Sequence, residues 1–305
     1  MAHIPVLLQE VIEYLVPDNQ PVERAIDGTL GAGGHTKALL DAGVGEVLSF
    51  DLDLQAIALA QQTLSDYTDR AHLVHDSYTT MQHHANELGW SGVDAILLDL
   101  GLSSMQLDTP ERGFAFMHDA PLDMRFNKNG NRATAADIIN NWSADDLADI
   151  FYKYGEEKHG RKLARDIVAK RPFTRTQELA EFIKSAMPGG KKMNIHPATR
   201  IFQALRIAVN EELKNVETVL PIAVDLLRSG GRLGVISFHS LEDRIVKNYF
   251  KDLSTEIVAP PGMASIEEKE AVVDLVTRKP IAPSDEEIKQ NPRSRSSKLR
   301  VVEKL

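Results

Sequence analysis

The sequence predicts an α/β protein in which a long helical insertion interrupts a doubly wound parallel sheet. Over the first hundred residues, short apolar runs alternate with helical patterns, which is typical of that sheet. The alternation then stops for about 110 residues and resumes after Ser229-Gly230-Gly231, which is predicted to stop a helix. There is no internal repeat, so the simplest interpretation is one sheet with one insertion.

Residues 6–101 are predicted to form the first part of this sheet. A helix over 6–16 comes first and ends before Pro17. The run Ala95-Ile96-Leu97-Leu98 is continuously apolar, as expected for a central strand that is buried on both faces. The predicted strands are 22–27, 46–51, 72–75 and 93–101, and the helices between them are 34–42, 53–65 and 79–88.

The second half of the chain holds the insertion and the end of the sheet. Residues 102–125 are predicted to be an ordered loop, followed by helices near 134–152, 156–170, 176–186 and 198–228. The sheet resumes with a strand over 232–238 and a helix over 241–251, and 271–276 and 298–302 are candidate final strands. The predicted domains are 1–104 with 216–305, and a helical insertion over 105–215.

A glycine-rich turn follows the first predicted strand. Four glycines lie within the seven residues from Gly28 to Gly34, and the next helix points its free N–H groups back at them. Asp51 comes 20 residues after Gly31, the spacing at which a βαβ unit brings an acid to a bound ribose. The glycine spacing differs from the dinucleotide fingerprint, so a tight turn without a ligand is the alternative. Turn and acid together predict a nucleoside-containing cofactor.

Polar residues end five of the predicted strands, and four of these ends carry a carboxylate. Such residues also cap helices, which is the alternative explanation for each one alone. Carboxylates at the rim where ligands bind would repel a pyrophosphate. S-adenosylmethionine (AdoMet) is therefore favoured over NAD, and a nicotinamide dehydrogenase is disfavoured. The strand ends are Asp27-Gly28, Asp51, Asp76-Ser77-Tyr78, Asp99-Leu100-Gly101 and Ser237-Phe238-His239.

Composition narrows the class of protein further. The 305 residues contain no cysteine, which excludes disulfides and thiolate metal sites. No apolar run is long enough to span a membrane, and the N-terminus lacks the pattern of a signal peptide. We therefore expect a cytoplasmic protein. His72, His75, His83 and His84 are candidates for a metal site, but a loosely spaced surface cluster is the favoured interpretation, and no metal ligands are predicted.

The net charge of −9 hides a local reversal of sign. Residues 151–214 contain 14 Lys and Arg against 7 Asp and Glu, and the tail 292–300 is also basic. Solvated helix faces are one explanation, and a surface for RNA phosphates is the other. The insertion residues predicted to contact RNA are Arg161, Lys162, Arg165, Lys191, Lys192 and Arg200.

The sequence resembles the bacterial 16S rRNA (cytosine-N4)-methyltransferase family known as RsmH, formerly MraW. The matching segments run in order over nearly the whole chain. No single segment is specific to the family, but the set of segments together is. They are Asp27-Gly28-Thr29-Leu30-Gly31-Ala32-Gly33-Gly34-His35, Leu97-Leu98-Asp99-Leu100-Gly101-Leu102-Ser103-Ser104-Met105-Gln106-Leu107-Asp108, Glu111-Arg112-Gly113-Phe114-Ala115-Phe116, Pro121-Leu122-Asp123-Met124-Arg125, Tyr154-Gly155-Glu156-Glu157, His196-Pro197-Ala198-Thr199-Arg200 and Ile236-Ser237-Phe238-His239-Ser240-Leu241-Glu242-Asp243-Arg244.

The resemblance implies a class I AdoMet-dependent methyltransferase sheet that acts on a cytidine in the decoding centre of 16S rRNA, near the P site of the 30S subunit. The insertion would present the RNA. The implied cofactor contacts are Gly33, Gly34 and His35 at the methionine end, Asp51 at the ribose, Tyr78 at the adenine, where relatives often carry Phe, and Asp99 and Gln106 completing the pocket. Many amino-methyltransferases carry Asp/Asn-Pro-Pro-Tyr/Phe where this chain has Asp99-Leu100-Gly101-Leu102, so their mode of base binding does not transfer to it.

Transfer to an exocyclic amine needs positioning and a proton acceptor. The candidates are Asp99 and Asp123, with His239 as an acceptor or a stacking partner. Arg125 and Arg244 are candidates for holding phosphates. The alternatives are an Asp123–Arg125 salt bridge that orders the loop and a helix-entry hydrogen bond of His239.

The sequence alone leaves open the role of three phenylalanines, the class of function and the oligomeric state. Phe114, Phe116 and Phe238 are candidates either for receiving an unstacked base or for the core. The alternative functions are methyl transfer to DNA or a small molecule, and a non-catalytic RNA-binding assembly factor. A homodimer is left open.

Overall fold

The computed structural model describes residues 5–18, 20–187, 196–257 and 268–305. The chain divides into two compact units, one of Met1–Gly101 with Leu213–Leu305 and one of Leu102–Glu212. The sequence predicted the boundaries at 104/105 and 215/216. In the described part of the chain no helix is both long and apolar enough to cross a membrane.

The first unit is built on a seven-stranded sheet, so the predicted α/β class is confirmed. The strand order is β3-β2-β1-β4-β5-β7-β6, and only β7 runs antiparallel to its neighbours. The central strand β4 is buried on both faces from Ala95 to Leu98, as its unbroken apolar run predicts. The strands are β1 Arg24–Asp27, β2 Glu46–Asp51, β3 Ala71–His75, β4 Val93–Asp99, β5 Leu227–Ser237, β6 Val273–Leu275 and β7 Lys298–Lys304.

Helices cover both faces of this sheet. Their bounds are α1 Leu8–Leu15, α2 Gly34–Asp41, α3 Leu54–Thr63, α4 Met81–Glu87, α11 Glu212–Leu226, α12 Ser240–Leu253 and α13 Asp285–Gln290. One core contains side chains of the first three helices, such as Leu15, Leu39 and Ile57. The other core contains side chains of α4, α11 and α12, such as Met81 and Phe250. This two-sided cover is why the strands carry apolar runs without alternation.

Two predicted boundaries around β5 are wrong. Ser229-Gly230-Gly231 was predicted to stop a helix, but α11 ends at Leu226 and these residues lie within β5. Val93 pairs with Leu227 and Ala95 pairs with Arg232, so the residues between form a bulge in which Gly230 has a φ of 79°.

The helix predicted over 198–228 is two helices, because Glu211 takes the left-handed conformation between them.

The second unit is helical and has its own core. Leu147, Phe151, Ile167, Ile183 and Leu205 are fully buried within it. The pattern over 134–152 is divided because Ser143 caps a new helix by accepting from the backbone N–H of Asp146. The helices are α5 Ser104–Asp108, α6 Ala135–Asn141, α7 Ala144–Lys153, α8 Gly160–Lys170, α9 Thr176–Ala186 and α10 Ala198–Asn210.

Candidate functional site

The glycine-rich turn is anchored by Asp27 at the end of β1. This carboxylate is fully buried and accepts hydrogen bonds from the Thr29 N–H at 3.0 Å and the Thr36 hydroxyl at 2.7 Å. The Thr29 hydroxyl in turn accepts from the Asp99 N–H at 2.7 Å, which ties the turn to the end of β4. Asp27 therefore holds the turn in place, and its oxygens face the protein's own donors.

The turn ends in a helix start that has no side-chain cap. Gly33 occupies the N-cap of α2 with a φ of 83°, a conformation that favours glycine. A Cβ on Gly34 would lie 2.4 Å from Pro5 Cγ, so the chain itself fills the space beside that glycine. The first N–H groups of α2 are left for another acceptor, as the sequence predicts.

Asp51 ends β2 beside the turn and is half-buried. Its carboxylate accepts from the Gly31 N–H at 2.9 Å and from the Asp53 N–H at 2.8 Å. Burial raises the pKa of Asp51 to about 6, although these two hydrogen bonds oppose the shift. The turn and the predicted ribose-binding acid are therefore in direct contact.

Asp99 ends β4 and faces His35, the second residue of α2. His35 is buried, and its Nε2 lies 3.0 Å from the Val6 carbonyl, which can only accept. That nitrogen therefore carries a proton, and Nδ1 faces Asp99 Oδ2 at 3.7 Å. Burial raises the pKa of Asp99 to about 6, with His35 opposing the shift and Asp27 adding to it. The 3.7 Å separation is longer than a hydrogen bond, so His35 and Asp99 are neighbours and not hydrogen-bonded partners.

The other carboxylate oxygen of Asp99 differs in its hydrogen bonding. Asp99 Oδ1 is buried, and no hydrogen-bond partner for it lies among the described residues. A buried acceptor without a donor is costly, so this atom is a natural place for an N–H or O–H of a bound molecule.

The strand end after β3 is organised locally. Asp76 accepts from the Ser77 N–H at 2.7 Å, the Thr80 hydroxyl at 3.0 Å and His84 Nε2 at 3.2 Å. Tyr78 begins a short 3-10 turn, is half-buried and lies within 3.2 Å of where a Cβ on Gly28 would be. The picture of four strand-end carboxylates available to one ligand is therefore too simple, because Asp27 and Asp76 bind the protein's own donors.

Gln106 and the Asp123–Arg125 pair belong to the second unit. Gln106 is buried, and its Oε1 accepts from the Ser103 N–H at 3.2 Å in a capping box at α5. Asp123 accepts from Arg125 Nε at 2.8 Å, Nη2 at 2.9 Å and the backbone N–H at 3.1 Å. Burial alone would raise the pKa of Asp123, but the bonds from Arg125 lower it. The salt bridge that orders this loop is thus present, and Asp123 is a weak proton acceptor.

His239 is the N-cap of α12. Its Nδ1 accepts from the Glu242 N–H at 3.3 Å, and Nε2 lies 3.2 Å from Glu242 Oε1. Glu242 is buried and also accepts from the backbone N–H groups of Phe238 and His239. The helix-entry bond expected as the alternative role of His239 is therefore present. Arg244 lies one turn further along α12 and is exposed.

The basic residues predicted for RNA differ in their pairing. Lys162 Nζ is bound to Asp166 at 2.6 Å, and Arg200 lies 3.6 Å from Glu157. Arg161 and Arg165 are exposed on α8, and neither forms an ion pair within the part of the chain that the structure describes. Lys191 and Lys192 lie outside the described residues.

The three candidate base-receiving phenylalanines pack within the protein. Phe114 is buried, with its ring centroid 5.7 Å from that of Phe126. Phe116 is half-buried between His196 and Phe202, at centroid distances of 4.8 and 5.0 Å. Core packing therefore accounts for these two rings; Phe238 is half-buried in the first unit.

Comparison with known proteins decides the family. A family model described as "MraW methylase family" matches residues 1–305, the whole chain. The chain belongs to the MraW methylase family. A relative named ribosomal RNA small subunit methyltransferase H from Dehalococcoides mccartyi is 48% identical over 306 residues, covering 99% of this chain and 86% of that protein. One of the same name from Magnetococcus marinus is 46% identical over 312 residues, covering 99% and 98%.

Membership of the MraW family confirms the predicted AdoMet-dependent methyltransferase, and the first unit fits that cofactor. Asp99 Oδ1 is a buried acceptor with no partner among the described residues, which suits a cationic N–H donor such as an ammonium group. Asp51 is a carboxylate at the spacing of a ribose ligand. The uncapped start of α2 suits a carboxylate. These three groups complement the amino, ribose and carboxylate parts of AdoMet.

Sequence reasoning missed two residues that support the glycine-rich turn through Asp27. Thr36 and Ser49 are fully buried and hydrogen-bonded to each other at 2.9 Å, and Thr36 secures Asp27. Both are small polar residues at otherwise apolar positions of α2 and β2. A buried hydroxyl needs a partner, so that break in the pattern is the signal that was available.

Proposed function

We propose that this MraW-family protein transfers a methyl group from AdoMet to N4 of a cytidine in the decoding centre of 16S rRNA, near the P site, within the cytoplasmic 30S subunit. The observation that carries the proposal is the similarity, along almost the whole chain, to relatives named for the small-subunit rRNA. The resemblance described above supplies the cytosine-N4 position and the decoding centre.

The chemistry of the acceptor explains what the site must do. The exocyclic amine of cytosine is a poor nucleophile, because its lone pair is delocalised into the ring. The bound cofactor supplies an activated methyl group. The protein must hold the amine in line with it and accept a proton as the nitrogen becomes cationic.

Asp99 is the carboxylate whose properties suit a proton acceptor best. Its raised pKa of about 6 makes it a stronger base than the ion-paired Asp123. The His35 ring, which the Val6 carbonyl fixes, faces Asp99 Oδ2 at 3.7 Å. Asp99 Oδ1 has no hydrogen-bond partner among the described residues and is the oxygen that we propose faces the ligand. We propose that Asp99 serves the cofactor's ammonium, the acceptor amine or both in turn, and that Asp51 holds the ribose.

The second unit is proposed to bind the RNA backbone. Arg161 and Arg165 are four residues apart on α8, so they project from the same face of the helix. Neither arginine forms an ion pair with the described residues, so binding a phosphate breaks no such pair. Phosphate contacts of this kind fix register, while the site fixes the base.

The test is methyl transfer from labelled AdoMet to 30S particles, to free 16S rRNA and to a short oligonucleotide. We expect the 30S particle to be the best substrate, because remote contacts must position a base for which the chain has no aromatic clamp after Asp99. The product nucleoside, identified by mass after digestion, should be N4-methylcytidine. Equal rates on the three substrates would contradict the positioning argument, and another methylated nucleoside would contradict the proposed acceptor.

A further inference from the structure

A group of histidines and carboxylates outside the proposed transfer site lies on α4 and just before it. The group consists of His83, His84 and Glu87 on the helix and Asp76 after β3. The sequence interpretation placed four histidines in a loose cluster, but the structure separates them. His72 lies 2.8 Å from Glu46 Oε2 and His75 lies 3.0 Å from the Leu52 carbonyl, whereas His83 and His84 lie together with ring centroids 5.0 Å apart.

Glu87 contacts both histidines, one through each carboxylate oxygen. His84 Nδ1 lies 3.0 Å from Glu87 Oε2, and His83 Nε2 lies 3.4 Å from Glu87 Oε1. One ligand atom from each of the three residues falls within 4.8 Å of the others. In a tetrahedral zinc site with bonds near 2.0–2.1 Å, ligand atoms are about 3.4 Å apart. The 4.8 Å limit exceeds this spacing, so the three side chains must move closer by up to about 1.4 Å to coordinate one ion.

The hydrogen bonding of His84 gives a second, independent reason. Its Nε2 lies 3.2 Å from Asp76 Oδ2 while its Nδ1 faces Glu87, so each ring nitrogen meets a carboxylate. Asp76 also accepts from the Ser77 N–H and the Thr80 hydroxyl, which hold its carboxylate in place behind His84. A hydrogen bond from the His84 Nε2–H to Asp76 leaves the Nδ1 lone pair directed at Glu87, which is the arrangement of a metal-binding histidine.

We propose that His83, His84 and Glu87 bind one zinc-like divalent cation, with Asp76 orienting His84 from behind. A metal-binding histidine commonly donates its other N–H to a carboxylate in this way. Two imidazoles and one carboxylate suit Zn²⁺ or its first-row neighbours, whereas Mg²⁺ requires oxygen ligands. His83 and Glu87 are 68% and 58% exposed, so the ion keeps at least one water and binds at a surface.

The experiment is calorimetric titration of tag-free, full-length protein with ZnCl₂ at neutral pH. We expect one saturable site at micromolar Zn²⁺, and no displacement by millimolar Mg²⁺. His83→Asn and Glu87→Gln each remove a ligand from an exposed position and should weaken binding at least tenfold. Asp76→Asn keeps all three ligands and should weaken binding about 10–100-fold, the usual effect of losing such an orienting partner.

The matched control is the double variant His72→Asn and His75→Asn, which removes two histidines outside the group and should bind Zn²⁺ as the parent does. Circular dichroism and thermal melts without metal establish that each variant is folded. Absence of saturable binding by the parent would overturn the proposal. Binding unchanged in both His83→Asn and Glu87→Gln would overturn it as well. Activity is not the readout, so the result is independent of the proposed function.

Discussion

Affinity for the cofactor is expected to depend on pH through Asp51 and Asp99. Both carboxyls have a pKa raised to about 6, and both are proposed to accept hydrogen bonds from the bound molecule. A ligand that requires an ionised carboxylate binds more weakly once the free protein is protonated there. Affinity should therefore fall as the pH is lowered through 6, and binding below that pH should release protons into solution.

The magnitude follows from the ionised fraction. A carboxyl with a pKa of about 6 is roughly 90% ionised at pH 7 and roughly 10% ionised at pH 5, so each contributes about tenfold in affinity, or about 1.4 kcal/mol. Two such groups that titrate independently give about a hundredfold loss from pH 7 to pH 5. Asp99→Asn should bind more weakly at pH 7 and lose only about tenfold over the same range.

The assay is calorimetric titration with S-adenosylhomocysteine at half-unit steps from pH 5 to pH 7. Asp41→Asn on α2 is the matched control, because hydrogen bonds from Lys37 and Tyr67 lower the pKa of Asp41 and it does not titrate in this range. It should keep the full dependence. An affinity of the unaltered protein that is flat from pH 7 to pH 5 would refute the assignment of both carboxylates. A slope unchanged by Asp99→Asn would refute the assignment of Asp99 alone.

Three further predictions concern stability, RNA and turnover. The folded-state pKa of Asp99 is above its unfolded value, so this carboxylate lowers the stability of the protein above pH 6, and that cost disappears as the pH falls toward 4. Asp99→Asn should therefore stabilise the cofactor-free protein at pH 8 by up to about 3 kcal/mol in urea unfolding, with no gain at pH 4. Equal stability of the two proteins at pH 8 would count against the buried charge. The double variant Arg161→Ala with Arg165→Ala should flatten the slope of log affinity for 30S particles against log salt by about 1.4–1.8 and leave cofactor affinity unchanged. Lys162→Ala, which removes a lysine that is already paired, should change that slope less. An unchanged slope in the double variant would place the RNA-binding surface elsewhere. Asp123→Ala breaks the salt bridge to Arg125 that orders this loop, so it should lower methyl transfer to 30S particles far more than it lowers binding to them. Full activity would remove Asp123 from the catalytic candidates and leave Asp99.

The elements of the sheet were predictable because their signals are local. The strand over 46–51 was predicted with the observed bounds, and β4 was recognised from its unbroken apolar run. The start of β5 was not predictable, since Ser229-Gly230-Gly231 is a typical helix stop. Only the pairing of Leu227 with Val93, distant in sequence, shows that the strand has already begun. Long-range pairing overrides local turn chemistry at this point.

The candidate site shows the same division between local and distant information. The positions of Asp51 and Asp99 at strand ends followed from the alternation of strands and helices. Their availability did not, because it depends on partners elsewhere in the chain. Asp27 is bound by Thr36 and Asp76 by His84, whereas Asp99 Oδ1 has no partner among the described residues. Sequence spacing placed these carboxylates, and only packing distinguishes anchors from ligand-binding groups.

The central claim is that this protein methylates N4 of a decoding-centre cytidine, and its most direct test is a map of methylated positions in 16S rRNA. The rRNA would be taken from cells with the gene, cells without it, and cells without it that express Asp99→Asn. We predict one N4-methylated cytidine near the P site that is lost without the gene and is not restored by the variant. An unchanged methylation map in the cells that lack the gene would contradict the proposed function.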